Sequence, residues 1–313
     1  MEDTRIASLS AVVQDATAPL NARFRALFEL RDIGGASVVQ QLAQVFSDPS
    51  ALLKHEIAYV LGQMRDAAAI PVLIPVLEDL QEDVMVRHEA AEALGALGDA
   101  SVLPVLQRFL EDEAEEVRQT CELAIRRVEW ELANPDQAME NVKSGVYSSV
   151  DPAPPSGKSK RGSSEKKKGV PELRAILLDS TRQLFKRYKA MFALRDLGTE
   201  EAVLALCDGF SDPSALFRHE VAFVLGQMEH PASVPTLERV LGNTEEHYMV
   251  RHEAAEALGG ICDASCLDTL RQYKEDSQRP VAESCVVALD MYDYWSQWKN
   301  KGEAPADVSV PAE

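Results

Sequence analysis

The chain is short of aromatic residues, histidines, cysteine pairs and long apolar runs, and each shortage excludes something. Phe, Trp and Tyr make up 6% of the 313 residues, while Ala, Leu and Glu are abundant, which favours close packing of small-residue helices over strands. No apolar stretch approaches the roughly 18 residues that cross a bilayer, and no basic-plus-apolar leader opens the chain. Neither membrane spanning nor secretion is expected. Five cysteines (121, 207, 262, 266 and 285) form an odd set without a CxxC pair, so no disulfide framework is indicated. Cys121 and Cys285 fall inside helical patterns and read as reduced core thiols, which points to the cytoplasm and leaves the nucleus open. A phosphate-binding glycine loop, a nucleophile elbow and an HExxH metalloprotease motif are all missing.

Positive charge is also scarce. Lys and Arg number 32 against 51 Asp and Glu, a net −19 that argues against a nucleic-acid or anionic-membrane surface. The stretch 156–169 runs against this trend with six basic residues and one Glu, so the rest of the chain carries −24. A body that acidic suits a cationic partner, although acidic charge also serves solubility alone.

What the chain does have is internal repetition. Residues 46–64 (FSDPSALLKHEIAYVLGQM) recur at 210–228 (FSDPSALFRHEVAFVLGQM) with 15 of 19 positions identical, and VMVRHEAAEALG at 84–95 recurs as YMVRHEAAEALG at 248–259. The offset is 164 throughout, so two halves of like fold are expected. Inside each half a unit of 31–33 residues repeats four times, with apolar residues at helical spacing such as Ala90, Ala93, Leu94 and Leu97. Ser/Asp/Pro or Gly-Asp-Ala-Ser punctuation separates these helices from a second apolar helix. Helix pairs of this length stack as an α-solenoid, so the fold expected is all-α, with eight HEAT-like helical hairpins in two pseudo-symmetric halves of four. The halves are placed at residues 1–143 and 171–300, joined by a flexible basic linker at 144–170 and followed by a disordered acidic tail at 301–313. Gly62, Gly95, Gly226 and Gly259 share one position within helices and suit close helix packing. Met64 and Met228 read as core residues, with lining of a reaction cavity as the alternative.

Four of the six histidines occupy one repeated position, as His55-Glu56, His88-Glu89, His219-Glu220 and His252-Glu253. The outer repeats act as an internal control. In the His position they carry Phe24, Gln119, Tyr188 and Glu283, and in the Glu position Arg25, Thr120, Lys189 and Ser284. A solenoid that needed His-Glu for stacking would use it in every unit, so the pattern follows location, as a shared site requires. Neighbouring residues project about 100° apart on a helix, and adjacent helices lie about 8–10 Å apart. Two imidazoles and a carboxylate from such neighbours can therefore meet one ion at about 2.0–2.2 Å. Each half offers this set, and two histidines with one carboxylate and open positions are typical of iron that activates O2. The residues alone do not separate iron from zinc or manganese. They also leave open a hydrolase using those metals, and a metal-free scaffold whose acidic face binds a partner. His230 and His247 correspond to Asp66 and Asp83 across the duplication, and read as surface histidines outside the set.

The four motifs KHEIAYVLGQM, RHEAAEALG, RHEVAFVLGQM and RHEAAEALGG, in a four-plus-four repeat array split by a linker, resemble the deoxyhypusine hydroxylase family over nearly the whole chain. The resemblance implies a non-haem di-iron monooxygenase that hydroxylates the deoxyhypusine side chain of translation initiation factor 5A, completing hypusine. It implies two Fe(2+) ions per chain, O2 as co-substrate and an external reductant, with the protein acting as a monomer. By the same resemblance His55, His88 and Glu89 hold one iron, and His219, His252 and Glu253 the other. Glu56 and Glu220 then lie outside the ligand set and anchor the cationic amines of the substrate.

Overall fold

The computed structural model describes residues 2–136, 147, 149–154 and 168–301. It divides into two compact units, residues 1–152 and 153–313. Among the described residues every regular element is helical. Unit 1 contains α1 (Glu2–Gln14), α2 (Leu20–Ile33), α3 (Ala36–Ala43), α4 (Ala51–Met64), α5 (Ile70–Glu78), α6 (Val84–Leu97), α7 (Leu103–Arg108) and α8 (Glu115–Ala133). Unit 2 contains α9 (Val170–Leu177), α10 (Leu184–Leu197), α11 (Glu200–Cys207), α12 (Ala215–Met228), α13 (Val234–Gly242), α14 (Tyr248–Ile261), α15 (Leu267–Tyr273) and α16 (Arg279–Lys301). Each unit is a row of antiparallel hairpins whose second helices pack on one another in chain order: α2, α4, α6 and α8, then α10, α12, α14 and α16.

The four helices that carry His-Glu are built alike, and their ends explain why. Each is 14 residues long. The amide at the third helical position of α4 donates to Ser50, and that of α12 to Ser214; α6 and α14 are capped by Asp83 and His247. All four stop at a left-handed residue, Arg65, Gly98, Glu229 or Cys262. His230 and His247 are thus half-buried helix caps. Their Nδ1 atoms accept from the amides of Ala232 (3.2 Å) and Met249 (3.4 Å), as the Asp66 and Asp83 carboxylates do in unit 1. The reading as surface histidines does not include this capping role. A cap needs only an acceptor two residues ahead of an amide, and neutral imidazole supplies one.

Spacing between the second helices is set by glycine meeting alanine. A Cβ on Gly62 would lie 2.8 Å from the Ala93 Cα, one on Gly95 2.8 Å from that of Ala124, and one on Gly259 2.8 Å from that of Ala288. Gly226 stands in the same relation to Ala257, at 3.1 Å. These approaches leave no room for a side chain, so the helices lie close and in fixed register.

A second contact locks each stack. The fourth residue of α2, α6, α10 and α14 is a buried arginine: Arg23, Arg87, Arg187 and Arg251. Each donates through Nε to the last turn of the preceding helix, at Val13, Leu77, Leu177 and Leu241. Each then pairs through its terminal nitrogens with an aspartate of the next repeat: Asp48, Asp112, Asp212 and Asp276. Lys54 and Arg218, fourth in α4 and α12, pair instead with Glu82 and Glu246. Desolvation is the largest single influence on Asp112 and Asp276 and opposes their ionisation, but hydrogen bonds from Arg87 and Arg251, from the Ala114 and Gln278 amides, and the guanidinium charges together outweigh it and hold both carboxyls below the usual range. The folded chain therefore binds fewer protons at these sites than the unfolded chain. Their contribution is present above the unfolded value of about 3.9 and lost as pH falls through the folded values. The urea midpoint is expected to drop between about pH 6 and pH 3, and the drop to be shallower in the Asp112→Asn, Asp276→Asn double variant. Equal slopes in both proteins would place the acid sensitivity elsewhere.

Within the expected flexible linker, Val150 and Asp151 are in fact docked. Val150 donates to Gln63 Oε1 at 2.7 Å, and Arg127 Nη1 donates to the Asp151 carbonyl at 2.8 Å while its other nitrogens grip Glu131. Val150 and Asp151 are buried, because backbone polar groups that find fixed partners can be ordered even in a Pro- and Ser-rich segment. The basic part of the linker and the acidic tail lie outside the described residues, apart from Lys168, Gly169 and Lys301. Met64 and Met228 are half-buried last residues of α4 and α12. They do not belong to the buried core, and each stands nine residues past its histidine, about 13 Å along the axis. Cys121 and Cys285 are free and fully buried, and burial pushes both thiols up to about 12.

Candidate metal centre

Every residue of the repeated position is the fifth of its helix: Phe24, His55, His88, Gln119, Tyr188, His219, His252 and Glu283. The repeat spacing thus becomes a row of side chains at one level of the stack. His55 and His88 meet because α4 packs on α6, and His219 meets His252 because α12 packs on α14. In unit 1 the two rings are 5.5 Å apart with their planes at 44°. In unit 2 they are 5.4 Å apart at the same 44°. The duplication is therefore kept in the geometry of the side chains.

The carboxylate that joins each pair comes from the later helix. Glu89 Oε2 lies 3.3 Å from His55 Nε2, and Glu253 Oε2 lies 3.3 Å from His219 Nε2. One donor atom each from His55, His88 and Glu89 falls within 4.8 Å of the others, and in unit 2 the same spacing joins His252, Glu253 and Glu256. Donors about 2.0–2.2 Å from one ion are at most about 4.4 Å apart, so separations within 4.8 Å are near those a shared ion requires. All six side chains are buried, with His88 and His252 at 0% exposure. Buried carboxylates beside imidazoles need a compensating charge or proton, and a divalent cation would supply it.

Glu56 and Glu220 are buried beside the histidines they follow in sequence, at 5% and 3% exposure. Each is one residue, and so about 100°, around the helix from its histidine. The equivalent step from His88 turns Glu89 back toward α4. Stacking direction thus separates two glutamates that look alike in the motif.

Sequence reasoning missed Arg87 and Arg251, which immediately precede His88 and His252 and fix the first turns of α6 and α14. Their signal was present as an arginine followed 25 residues later by an aspartate, a pairing visible only once the repeat register is known. It also missed Glu256, whose Oε1 lies 3.6 Å from His252 Nδ1 and accepts from Ser284 Oγ at 2.8 Å.

Comparison with known proteins matches residues 39–126 and 203–290 to a HEAT repeat model, and 186–212 to a PBS lyase HEAT-like repeat model. The chain is 56% identical over 291 residues to a deoxyhypusine hydroxylase of Xenopus laevis, covering 93% of this chain and 92% of the relative. It is 51% identical over 292 residues to that of Danio rerio, covering 93% of both chains. A solved structure of human deoxyhypusine hydroxylase in complex with glycerol superposes with a TM-score of 0.86 at 50% identity, covering 94% of this chain and 97% of that one.

Proposed function

The chain belongs to the deoxyhypusine hydroxylase family, and on that premise we propose that it is a di-iron monooxygenase acting on the deoxyhypusine side chain of translation initiation factor 5A. The observation that carries the proposal is the buried His55-His88-Glu89 donor set of unit 1, matched in unit 2 by the same ring spacing of His219 and His252 and the same His219–Glu253 contact. His55, His88 and Glu89 would hold one ion, and His219, His252 and Glu253 the other. Two neutral imidazoles and one carboxylate leave a ferrous ion with net positive charge and open positions, a donor set that fits iron reacting with O2. When bound, iron supplies the O2 activation, with electrons from an external reductant. One oxygen atom enters a C–H bond, and the other leaves as water with two electrons and two protons.

The remaining work belongs to the protein. Burial keeps bulk water from the donors, and the close-packed helices hold them in fixed places. Glu56 and Glu220 supply negative charge for the amines of a deoxyhypusine side chain, which suits the net charge of −19. The acidic body draws a cationic substrate, and the two carboxylates position it for reaction.

Elemental analysis of the purified chain, reconstituted anaerobically, tests the metal reading, with about two irons per chain expected. Absence of bound iron would sink it. Hydroxylation of the deoxyhypusine-bearing factor tests the activity. Glu56→Gln and Glu220→Gln should keep both irons yet raise KM about 10- to 100-fold, because each removes a charge-assisted contact of roughly 1.5–3 kcal/mol. Loss of iron in either variant would instead move that glutamate into the ligand set.

A further inference from the structure

We infer that Glu256 is a positioning residue of the unit 2 site, holding the His252 imidazole so that Nε2 faces the metal; this rests on the reading of His252 as a ligand. Glu256 lies one turn beyond His252 on α14, and its carboxylate is 4% exposed. Its Oε1 atom is 3.6 Å from His252 Nδ1 and accepts from the Ser284 hydroxyl, on α16, at 2.8 Å. His252 and Ser284 are both at 0% exposure. Ser284, Glu256 and His252 therefore form a buried chain running from α16 to the site.

The chemistry follows from what each group can donate. A carboxylate only accepts, so beside Nδ1 it favours the tautomer with a proton there and disfavours a lone pair. At 3.6 Å the contact exceeds hydrogen-bond length, and the preference acts through charge, which a buried setting screens little. The lone pair is then left on Nε2, the nitrogen available to an ion. Ser284 fixes the carboxylate in turn, leaving Oε1 no need to rotate for a partner.

The duplication supplies a comparison within the same molecule. The counterparts 164 residues earlier are Glu92 and Thr120. The Thr120 hydroxyl donates to the Glu116 carbonyl at 2.9 Å, one turn back on its own helix. Glu92 is only half-buried and borders a small cavity shared with Thr120 and Arg127. The hydroxyl-to-carboxylate link is thus made by Ser284 in unit 2, while its counterpart in unit 1 turns to the backbone. The two metal sets are built from the same motif and supported differently.

With only six histidines, ring-nitrogen NMR of the full chain labelled with 15N-histidine can report the His252 tautomer directly. The metal-free wild type should show a single Nδ1–H form at His252. Glu256→Met should give a tautomer mixture and weaken anaerobic Fe(II) binding at one of two sites by about 10- to 100-fold. Glu256→Gln, which keeps the shape of the side chain but removes its charge, should also lose most of the tautomer preference, and Ser284→Ala should fall between the wild type and Glu256→Met. An unchanged tautomer in Glu256→Met would overturn the inference. If iron were lost with the tautomer unchanged, Glu256 would be a direct ligand, which also overturns it. Failure of the wild type to bind Fe(II) would strike the metal reading, while the metal-free tautomer would still decide whether Glu256 positions the ring.

Discussion

His252→Ala is expected to leave the chain with one iron instead of two and to abolish hydroxylation, with its helical content intact. His55→Ala should do the same from the other unit. Each variant reduces a three-donor set to two, and losing a ligand costs more than the 10- to 100-fold typical of a supporting contact, hence more than about 2.7 kcal/mol of binding. The fold should survive because both histidines lie inside 14-residue helices whose caps are untouched, and alanine is the strongest helix former. Elemental analysis, the hydroxylation assay and circular dichroism of the same preparations separate the effects. Normal turnover by either variant would refute the ligand assignment, and a collapsed far-ultraviolet spectrum would show that the ring was needed for packing instead.

The largest effect on stability is expected from Arg251→Ala. The Arg251 side chain is 2% exposed, donates to the Leu241 carbonyl at 3.0 Å and reaches the Asp276 carboxylate at 3.2 and 2.6 Å. Its guanidinium also lies 5.5 Å from the centre of the Tyr273 ring. Truncation leaves a carboxylate of 6% exposure without its cation and a helix end without its donor. Breaking a buried pair by removing one partner typically costs about 3–5 kcal/mol, a large part of the roughly 5–15 kcal/mol that holds a domain together. Arg251→Lys should recover little, because an ammonium cannot bridge a carbonyl and both carboxylate oxygens in one plane. Urea denaturation of the metal-free chain measures this without interference from ligand binding. A midpoint equal to the parent's would mean that the pair contributes nothing to unit 2. Since Arg251 directly precedes His252, weaker iron binding should accompany the loss.

How far the sequence could be read depended on whether an interaction was local. Helix position, helix ends and the level of His55, His88, His219 and His252 all follow from periodicity and capping chemistry along one stretch of chain. The docked segment at Val150 and Asp151 was not legible, because its composition suggests freedom while its partners, Gln63 and Arg127, are remote in the chain. Histidine capping at His230 and His247 was hidden for a different reason. A cap depends on one acceptor atom, and the residue type alone does not say that the atom is used.

By itself the sequence determined that this protein is a duplicated all-α repeat array with four buried-helix His-Glu positions, since a constant offset of 164 and a helical apolar period admit no other register. Only the tertiary structure decided that Glu89 and Glu253 turn toward the preceding histidine, that Arg87 and Arg251 clamp the stack, and that Ser284 reaches Glu256 from the next helix. The physical reason is that these pairings join different helices. Their partners are chosen by the distance and rotation of one helix on the next, which here are set by glycine-on-alanine contacts such as Gly95 against Ala124.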